Sequence, residues 1–154
     1  MGIEIEHKFL VSGEGWRPMA TRQTRFSQGY LSRDPARTVR VRIAGDQAFL
    51  TIKGATRGAS RAEFEYEVPV ADAQALLAMS DGPVVEKIRH LCPFRGMTWE
   101  VDEFLGANAG LIVAEIELST EGQAFARPDW LGAEVTGDAR YVNANLAVRP
   151  FTSW

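Results

Sequence analysis

The stretch Met1-Gly2-Ile3-Glu4-Ile5-Glu6-His7-Lys8, followed by Phe9, decides the fold. Its apolar residues alternate with Glu4, Glu6 and Lys8. Because successive side chains of a strand point to opposite faces, the pattern predicts a strand with one apolar face and one face that carries two carboxylates and an ammonium. Alternate carboxylates lie roughly 6.6–6.8 Å apart along a strand, and each raises the pKa of the other unless a cation lies between them. The stretch therefore indicates a metal site, with a lysine beside it for an anion.

The same alternation recurs in later segments, each of which carries charge on one face. The clearest are residues 38–43, 49–53, 61–67, 85–89, 99–102 and 114–118. Arg40 and Arg42 share a face in the first of these segments, and Glu115 and Glu117 share a face in the last. With residues 28–31 as a weaker case, the pattern predicts eight strands.

Most of these strands carry charge of a single sign. A sheet with one solvated face is the ordinary explanation for alternating apolar and charged residues, but such a face usually mixes both signs with neutral polar residues. Here acids dominate the first, fifth, seventh and eighth strands, and bases dominate the third, fourth and sixth. All three lysines of the chain also fall on these faces. Since like charges two residues apart repel each other, the distribution favours an enclosed, ligand-binding face over a solvated one.

Eight mainly antiparallel strands of this kind can close into a barrel, which removes the exposed sheet edges. We therefore predict a mainly β (α+β) fold: a closed eight-stranded antiparallel barrel whose charged face lines a tunnel and whose apolar face is covered by a few helices. The interior would hold Glu4, Glu6, Glu63, Glu65, Glu100, Asp102, Glu115 and Glu117, with Lys8, Arg40, Arg42, Lys53, Lys87 and Arg89. Carboxylate oxygens favour Mg²⁺ or Mn²⁺, and so many bases suit a polyphosphate better than a single phosphate.

Length, charge and cysteine content restrict the number of domains, the partners and the location that we expect. The 154 residues suit one domain over residues 1–154, and the net charge of −3 gives no attraction to nucleic acid. Cys92 is the only cysteine, so an intrachain disulfide is excluded, and we expect it to act as a small buried hydrophobic residue. The sequence shows no signal-peptide pattern and no long apolar run, from which we expect a cytoplasmic protein without membrane attachment.

Three helices are predicted between and after the strands. Residues 69–80 have apolar side chains at helical spacing, with Pro69 at the entry and Asp81-Gly82-Pro83 as the stop. A second helix is expected over residues 121–125, before Pro128. Asp138 is a candidate cap for a third, over residues 139–147.

With these elements in place, the chain resembles the CYTH superfamily, also called triphosphate tunnel metalloenzymes. Glu4-Ile5-Glu6-His7-Lys8 matches the family's ExExK signature, and the later charged strands follow in the family's order over nearly the whole chain. The resemblance implies an eight-stranded tunnel that binds triphosphate and a divalent metal. The chain is most similar to the short single-domain bacterial members that hydrolyse inorganic triphosphate.

The resemblance also implies roles for individual residues. Catalytic roles fall on Glu4, Glu6, Glu63, Glu65 and Lys87. Metal binding falls on Glu4, Glu6, Glu63, Glu65, Asp102, Glu115 and Glu117. Substrate binding falls on Lys8, Arg40, Arg42, Lys53, Lys87, Arg89 and Arg140. Tyr30 is a further candidate for the tunnel lining, whereas His7 and Glu103 should point away from the tunnel by strand parity.

Other activities are compatible with the same tunnel. It could cyclise ATP as a class IV adenylate cyclase, hydrolyse thiamine triphosphate, or bind polyphosphate without catalysis. The sequence shows no clear pocket for an organic group. A homodimer is compatible with the sequence, and neither a nucleic-acid nor a membrane partner is expected.

Overall fold

The protein is described by a computed structural model that covers residues 2–154. Nine strands follow one another along the chain: β1 (Gly2–Val11), β2 (Arg22–Ser32), β3 (Arg37–Ala44), β4 (Gln47–Gly54), β5 (Ser60–Val68), β6 (Val85–Phe94), β7 (Met97–Phe104), β8 (Ile112–Glu117) and β9 (Leu131–Glu134). Two α-helices accompany them, α1 (Val70–Leu77) and α2 (Asn143–Leu146). Short 3-10 helices lie at Arg17–Met19, Gly106–Asn108, Ala139–Tyr141 and Phe151–Ser153.

The first eight strands form a closed antiparallel barrel. They are hydrogen-bonded in the order β5-β4-β3-β2-β6-β7-β8-β1, and a further pairing of β5 with β1 closes the ring. Closure depends on β1, because its residues 2–5 pair with β5 and its residues 6–10 pair with β8. The predicted eight-stranded, mainly β barrel is thereby confirmed. The ninth strand, β9, pairs with the end of β1 outside the ring and was not predicted.

The hydrophobic core lies outside the barrel wall, as the apolar strand faces predict. Phe9, Trp99 and Ile116 project outward and pack under Trp16 and Trp130 from the connecting segments. On the other side, Ala73 of α1 covers Val41 and Ala48. Burial of apolar surface on the outer face stabilises the ring and leaves its inner face to polar groups.

Helix α1 confirms the predicted helix but is shorter than the expected residues 69–80. Pro69 is its extended N-cap, and beyond Leu77 the Ser80 hydroxyl donates to the Leu77 carbonyl. The end of the helix lies directly against the strand below it. A Cβ atom on Gly29 of β2 would lie 2.1 Å from Ser80 Oγ, so only glycine permits this approach.

The other two helix predictions fared differently. The prediction over residues 121–125 is wrong, because the chain turns at Gly122, where φ is +75°, and continues without helix. In the region 139–147, Asp138 does cap the chain by accepting from the Arg140 amide. The helix is then interrupted at Val142, which is extended and separates the 3-10 turn from α2.

Two further observations concern residues singled out from the sequence. Cys92 is fully buried, as expected, with its sulfur 3.5 Å from the Trp16 carbonyl oxygen. Within residues 2–154, neither helix has the length and apolar character that crossing a membrane would require.

Candidate active site

The inner face of the barrel encloses a cavity of about 740 Å³ that is lined mainly by charged side chains. Side chains from all eight strands of the ring contribute, and strand alternation turns them inward. Lining residues include Glu4, Glu6, Lys8, Arg40, Arg42, Lys53, Glu63, Glu65, Lys87, Arg89, Glu100, Glu115 and Glu117, together with Tyr30. The structure therefore brings all the sequence-predicted site residues to one tunnel, except Asp102 and Arg140.

Three carboxylates form a compact group on one wall, which we call the acidic trio: Glu6 of β1, Glu100 of β7 and Glu115 of β8. One oxygen from each lies within 4.8 Å of the others. Glu100 and Glu115 are directly opposed on neighbouring strands. Three oxygen ligands at this separation fit a divalent cation that prefers oxygen.

The electrostatics of the trio also suit a cation. Burial, followed by the charges of Glu115 and Glu4, raises the pKa of Glu6 to about 8. Burial is also the main reason that the pKa of Glu100 is raised. Lys8 Nζ lies 3.4 Å from Glu115, and Arg89 lies 3.0 Å from Glu115 and 3.2 Å from Glu100, so these two bases offset part of the repulsion. A divalent cation would replace the proton that Glu6 otherwise holds.

Three further predicted carboxylates, Glu4, Glu63 and Glu65, lie close to bases, whereas burial and the charges of Glu4 and Glu63 raise the pKa of Glu117. Lys53 Nζ is 3.1 Å from both Glu4 oxygens and 3.4 Å from Glu63. Although burial favours the neutral acid, Lys53 lowers the pKa of Glu4 to about 2. Glu65 accepts from the Thr51 hydroxyl at 2.7 Å and lies 3.4 Å from Arg40.

A basic wall faces these acids, formed by Arg40, Arg42, Lys87 and Arg89. Burial, with repulsion from Arg40 and Arg89, lowers the pKa of Arg42 to about 9. The Nε atom of Arg40 is buried and has no hydrogen-bond partner among residues 2–154. Cations crowded together in this way require an anion, because burying unneutralised charge is costly.

Asp102 lies behind the basic wall. One of its oxygens is 2.6 Å from Lys87 Nζ, and its two oxygens accept from Arg89 at 2.8 Å each. Both oxygens are bound by cations, and Asp102 does not belong to the acidic trio, whose oxygens lie within 4.8 Å of one another. Its pKa is lowered, since Arg89 and Lys87 outweigh the effect of burial.

Arg140 also lies apart from the tunnel. Its guanidinium pairs with Asp138 at 2.8 Å and stacks over Tyr141 and Trp154 on the protein surface. The parity predictions for outward residues are confirmed. His7 meets Glu134 of β9 at 2.6 Å, and Glu103 meets Arg17 and His90 on the outer face.

Two uncharged residues at the site were missed by sequence reasoning. Gln28 of β2 is fully buried and accepts a hydrogen bond from Arg42 Nε at 2.9 Å. Asn143 of α2 accepts from Lys87 Nζ and from Gln28 Nε2, both at 3.0 Å. Gln28 could have been found, because it shares the face of Tyr30 on a predicted strand. No sequence pattern marks Asn143 as a site residue, since it lies in a short C-terminal helix outside the strand pattern.

Comparisons with known proteins agree with this geometry. The model of the CYTH domain family matches residues 2–150. An inorganic triphosphatase of Acetivibrio thermocellus is 49% identical over 100% of this chain and 99% of that protein. An inorganic triphosphatase of Nitrosomonas europaea is 36% identical over 94% of this chain and 97% of that protein.

The fold is shared as well. A crystal structure of an inorganic triphosphatase has a TM-score of 0.68 to this chain, at 34% identity over 94% of each chain. Sequence, topology and the charged tunnel thus agree, and the chain belongs to the CYTH domain family.

Proposed function

We propose that the protein hydrolyses inorganic triphosphate to pyrophosphate and orthophosphate inside the tunnel, with Mg²⁺ or Mn²⁺ as cofactor. One observation carries the proposal: an acidic trio that suits a divalent cation and a basic wall that suits a polyanion line the same cavity. The two relatives named above, both inorganic triphosphatases, support it.

The bases of the tunnel would bind and orient the substrate. Lys8, Lys53 and the four members of the basic wall come from four different strands, so they can contact a chain of phosphates from several sides. Their charges would be fixed before the substrate arrives, and such preorganised charge is the main source of catalysis in phosphoryl transfer. Glu6, Glu100 and Glu115 would hold the metal, which supplies Lewis-acid stabilisation of the phosphoryl charge when bound.

Hydrolysis requires one bond to form and one to break. The oxygen of water forms a bond to a terminal phosphorus, and the bridging P–O bond to the remaining pyrophosphate breaks. A tunnel carboxylate takes the proton of the water; Glu4, Glu6, Glu63 and Glu65 are the candidates that the family resemblance indicates. Lys87 is suited to protonate the leaving oxygen, since burial lowers its pKa to about 7.

Phosphate release is the direct test. The purified protein would be assayed with inorganic triphosphate, ATP and thiamine triphosphate, each with Mg²⁺, Mn²⁺ or EDTA. We expect metal-dependent release that is fastest from inorganic triphosphate. Preferred release from thiamine triphosphate, cyclic AMP formation from ATP, or tight binding of triphosphate without release would each contradict the proposal and support the corresponding alternative.

A pair of matched variants connects the activity to the tunnel. Glu6→Gln should reduce turnover steeply, because it removes a charged member of the acidic trio. Glu103→Gln changes a carboxylate on the outer face of β7 and should leave turnover close to that of the unmodified protein. Equal activity of both variants would contradict the assignment of the site.

A further inference from the structure

The tunnel contains a bridge of two amides that joins two cations of the basic wall. It runs from Lys87 through Asn143 and Gln28 to Arg42, with hydrogen bonds of 3.0, 3.0 and 2.9 Å. Lysine and arginine can only donate, so they fix the orientation of both amides. The oxygen of Asn143 must face Lys87, and the oxygen of Gln28 must face Arg42, which leaves the Gln28 amide nitrogen to donate to Asn143.

The bridge determines where the Lys87 ammonium can donate. An ammonium has three N–H groups. One is bound to Asp102 at 2.6 Å and a second to Asn143 at 3.0 Å. The third remains for the tunnel, which Lys87 lines although its side chain is only 1% exposed. Both lone pairs of the Asn143 oxygen are used, so one side chain fixes Lys87 and Gln28 together.

We propose that Asn143 is a positioning residue, which holds Lys87 and, through Gln28, Arg42 in the orientation that contacts triphosphate. This inference rests on the proposed function. It assigns a role in the reaction to the C-terminal helix α2, which contributes no charged group to the tunnel. The same C-terminal segment also touches a second tunnel lysine, since Lys8 Nζ donates to the Tyr141 carbonyl at 3.2 Å.

Two substitutions at position 143 distinguish the effect of the Asn143 hydrogen bonds from the effect of its side-chain volume. Asn143→Leu has a similar size but no acceptor, so Lys87 and Gln28 both lose a partner. Because a hydrogen bond to a charged group is lost, we expect kcat for triphosphate to fall on the order of tenfold to a hundredfold. KM should change much less, since the other tunnel bases still bind the substrate. Asn143→Asp keeps both acceptor contacts and should restore kcat while raising KM, because it adds a negative charge to an anion site.

A third substitution controls for damage to α2. Asn145→Ala removes the 2.8 Å hydrogen bond to the Ala139 carbonyl in the same segment without touching Lys87. Melting temperatures would be measured for all variants. We expect Asn145→Ala to lower the melting temperature at least as much as Asn143→Leu, with a much smaller loss of kcat. An equal or larger loss of kcat in Asn145→Ala would overturn the inference.

A double-mutant cycle provides the decisive measurement. In a Lys87→Met background there is no ammonium to position, so Asn143→Leu should have little further effect on kcat/KM. The same loss in both backgrounds, or no loss of kcat in the single variant, would overturn the role of Asn143. Absence of phosphate release by the unmodified protein would instead refute the proposed function, so the two failures are distinguishable.

Discussion

Lys87 and Asp102 form an ion pair of 2.6 Å in which each side chain is only 1% exposed. Asp102 also binds the Arg89 guanidinium through both of its oxygens, so two cations of the tunnel share one carboxylate. Breaking such a pair leaves uncompensated charge on a buried side chain, which is costly. The carboxylate is therefore expected to be needed for the stability of the barrel as well as for the order of its basic wall.

The first prediction concerns this pair. Asp102→Ala should lower the free energy of unfolding by about 3–5 kcal/mol, because it leaves Lys87 and Arg89 without their shared partner. Urea unfolding followed by tryptophan fluorescence would measure the loss. Asp138→Ala, which breaks an exposed pair with Arg140, is the control and should cost far less. Similar losses of unfolding free energy in the two variants would show that the buried pair stabilises the fold no more than an exposed pair does.

The second prediction distinguishes the observed acidic trio from the broader metal set that the family resemblance implies. Glu100→Gln should weaken Mn²⁺ binding on the order of tenfold or more, because Glu100 belongs to the trio. Glu65→Gln should have a smaller effect, since Glu65 is bound to Thr51 on another wall. Titration calorimetry with Mn²⁺ alone would compare the affinities. A larger loss for Glu65→Gln would place the metal elsewhere in the tunnel.

The third prediction concerns pH. Metal binding must remove the proton from Glu6, whose pKa is about 8 in the metal-free protein. The affinity for Mg²⁺ should therefore increase with pH, by about tenfold per pH unit below pH 8, and level off above it. In Glu6→Gln the remaining affinity should lack this dependence. An affinity that is flat between pH 6 and pH 8 in the unmodified protein would contradict it.

The same proton also affects stability without metal. The pKa of Glu6 is raised from 4.5 to about 8 on folding, so the folded state binds more protons than the unfolded state in this interval. Stability from this group is present below pH 4.5 and is lost as the pH rises through 8. Lys87, with its pKa lowered to about 7, acts in the opposite sense above pH 7. The test should therefore compare the free energy of unfolding of the unmodified protein with that of Glu6→Gln. From pH 5 to pH 8 the unmodified protein should lose stability relative to the variant.

The fourth prediction tests the packing of α1 on the barrel. Gly29→Ala would bring a methyl group to 2.1 Å from Ser80 Oγ and 3.1 Å from a Leu77 methyl. The end of α1 must then shift, which should cost about 1–3 kcal/mol of unfolding free energy. Gly54→Ala is the matched control in a neighbouring part of the sheet, because its nearest neighbour would be at an ordinary 3.4 Å. A thermal melt should show a loss for the first variant only.

Much of the barrel could be predicted because alternation is a local property of the sequence. Six of its strands carry two or more charged residues at alternate positions, which places Glu4, Arg42 and Glu115 on the inner face without any knowledge of their partners. The first half of β2 could not be predicted, because residues 22–25 contain no apolar residue and therefore show no alternation. β9 could not be predicted either, because it is only four residues long and includes Gly132.

The grouping of side chains within the tunnel could not be predicted in the same way. Parity shows that Asp102 points to the inner side of the wall, but not that Lys87 and Arg89 occupy both of its oxygens. Parity likewise says nothing about the distance between Glu6 and Glu100, which depends on strand tilt and register around a closed ring. Asn143 lies beyond any such pattern, because its contact with Lys87 is made across 56 residues of sequence.

The closure of the ring through β1 also determines the order in which the molecule can form. β1 pairs with residues 60–63 through its first half and with residues 113–117 through its second half. Contacts between segments so distant along the chain form slowly, because a long loop must close before they stabilise anything. During synthesis β1 leaves the ribosome before both partner strands and remains unpaired until they have been made. Glu6, which pairs with Glu117 of β8, therefore reaches its place in the ring only after β8 has been synthesised.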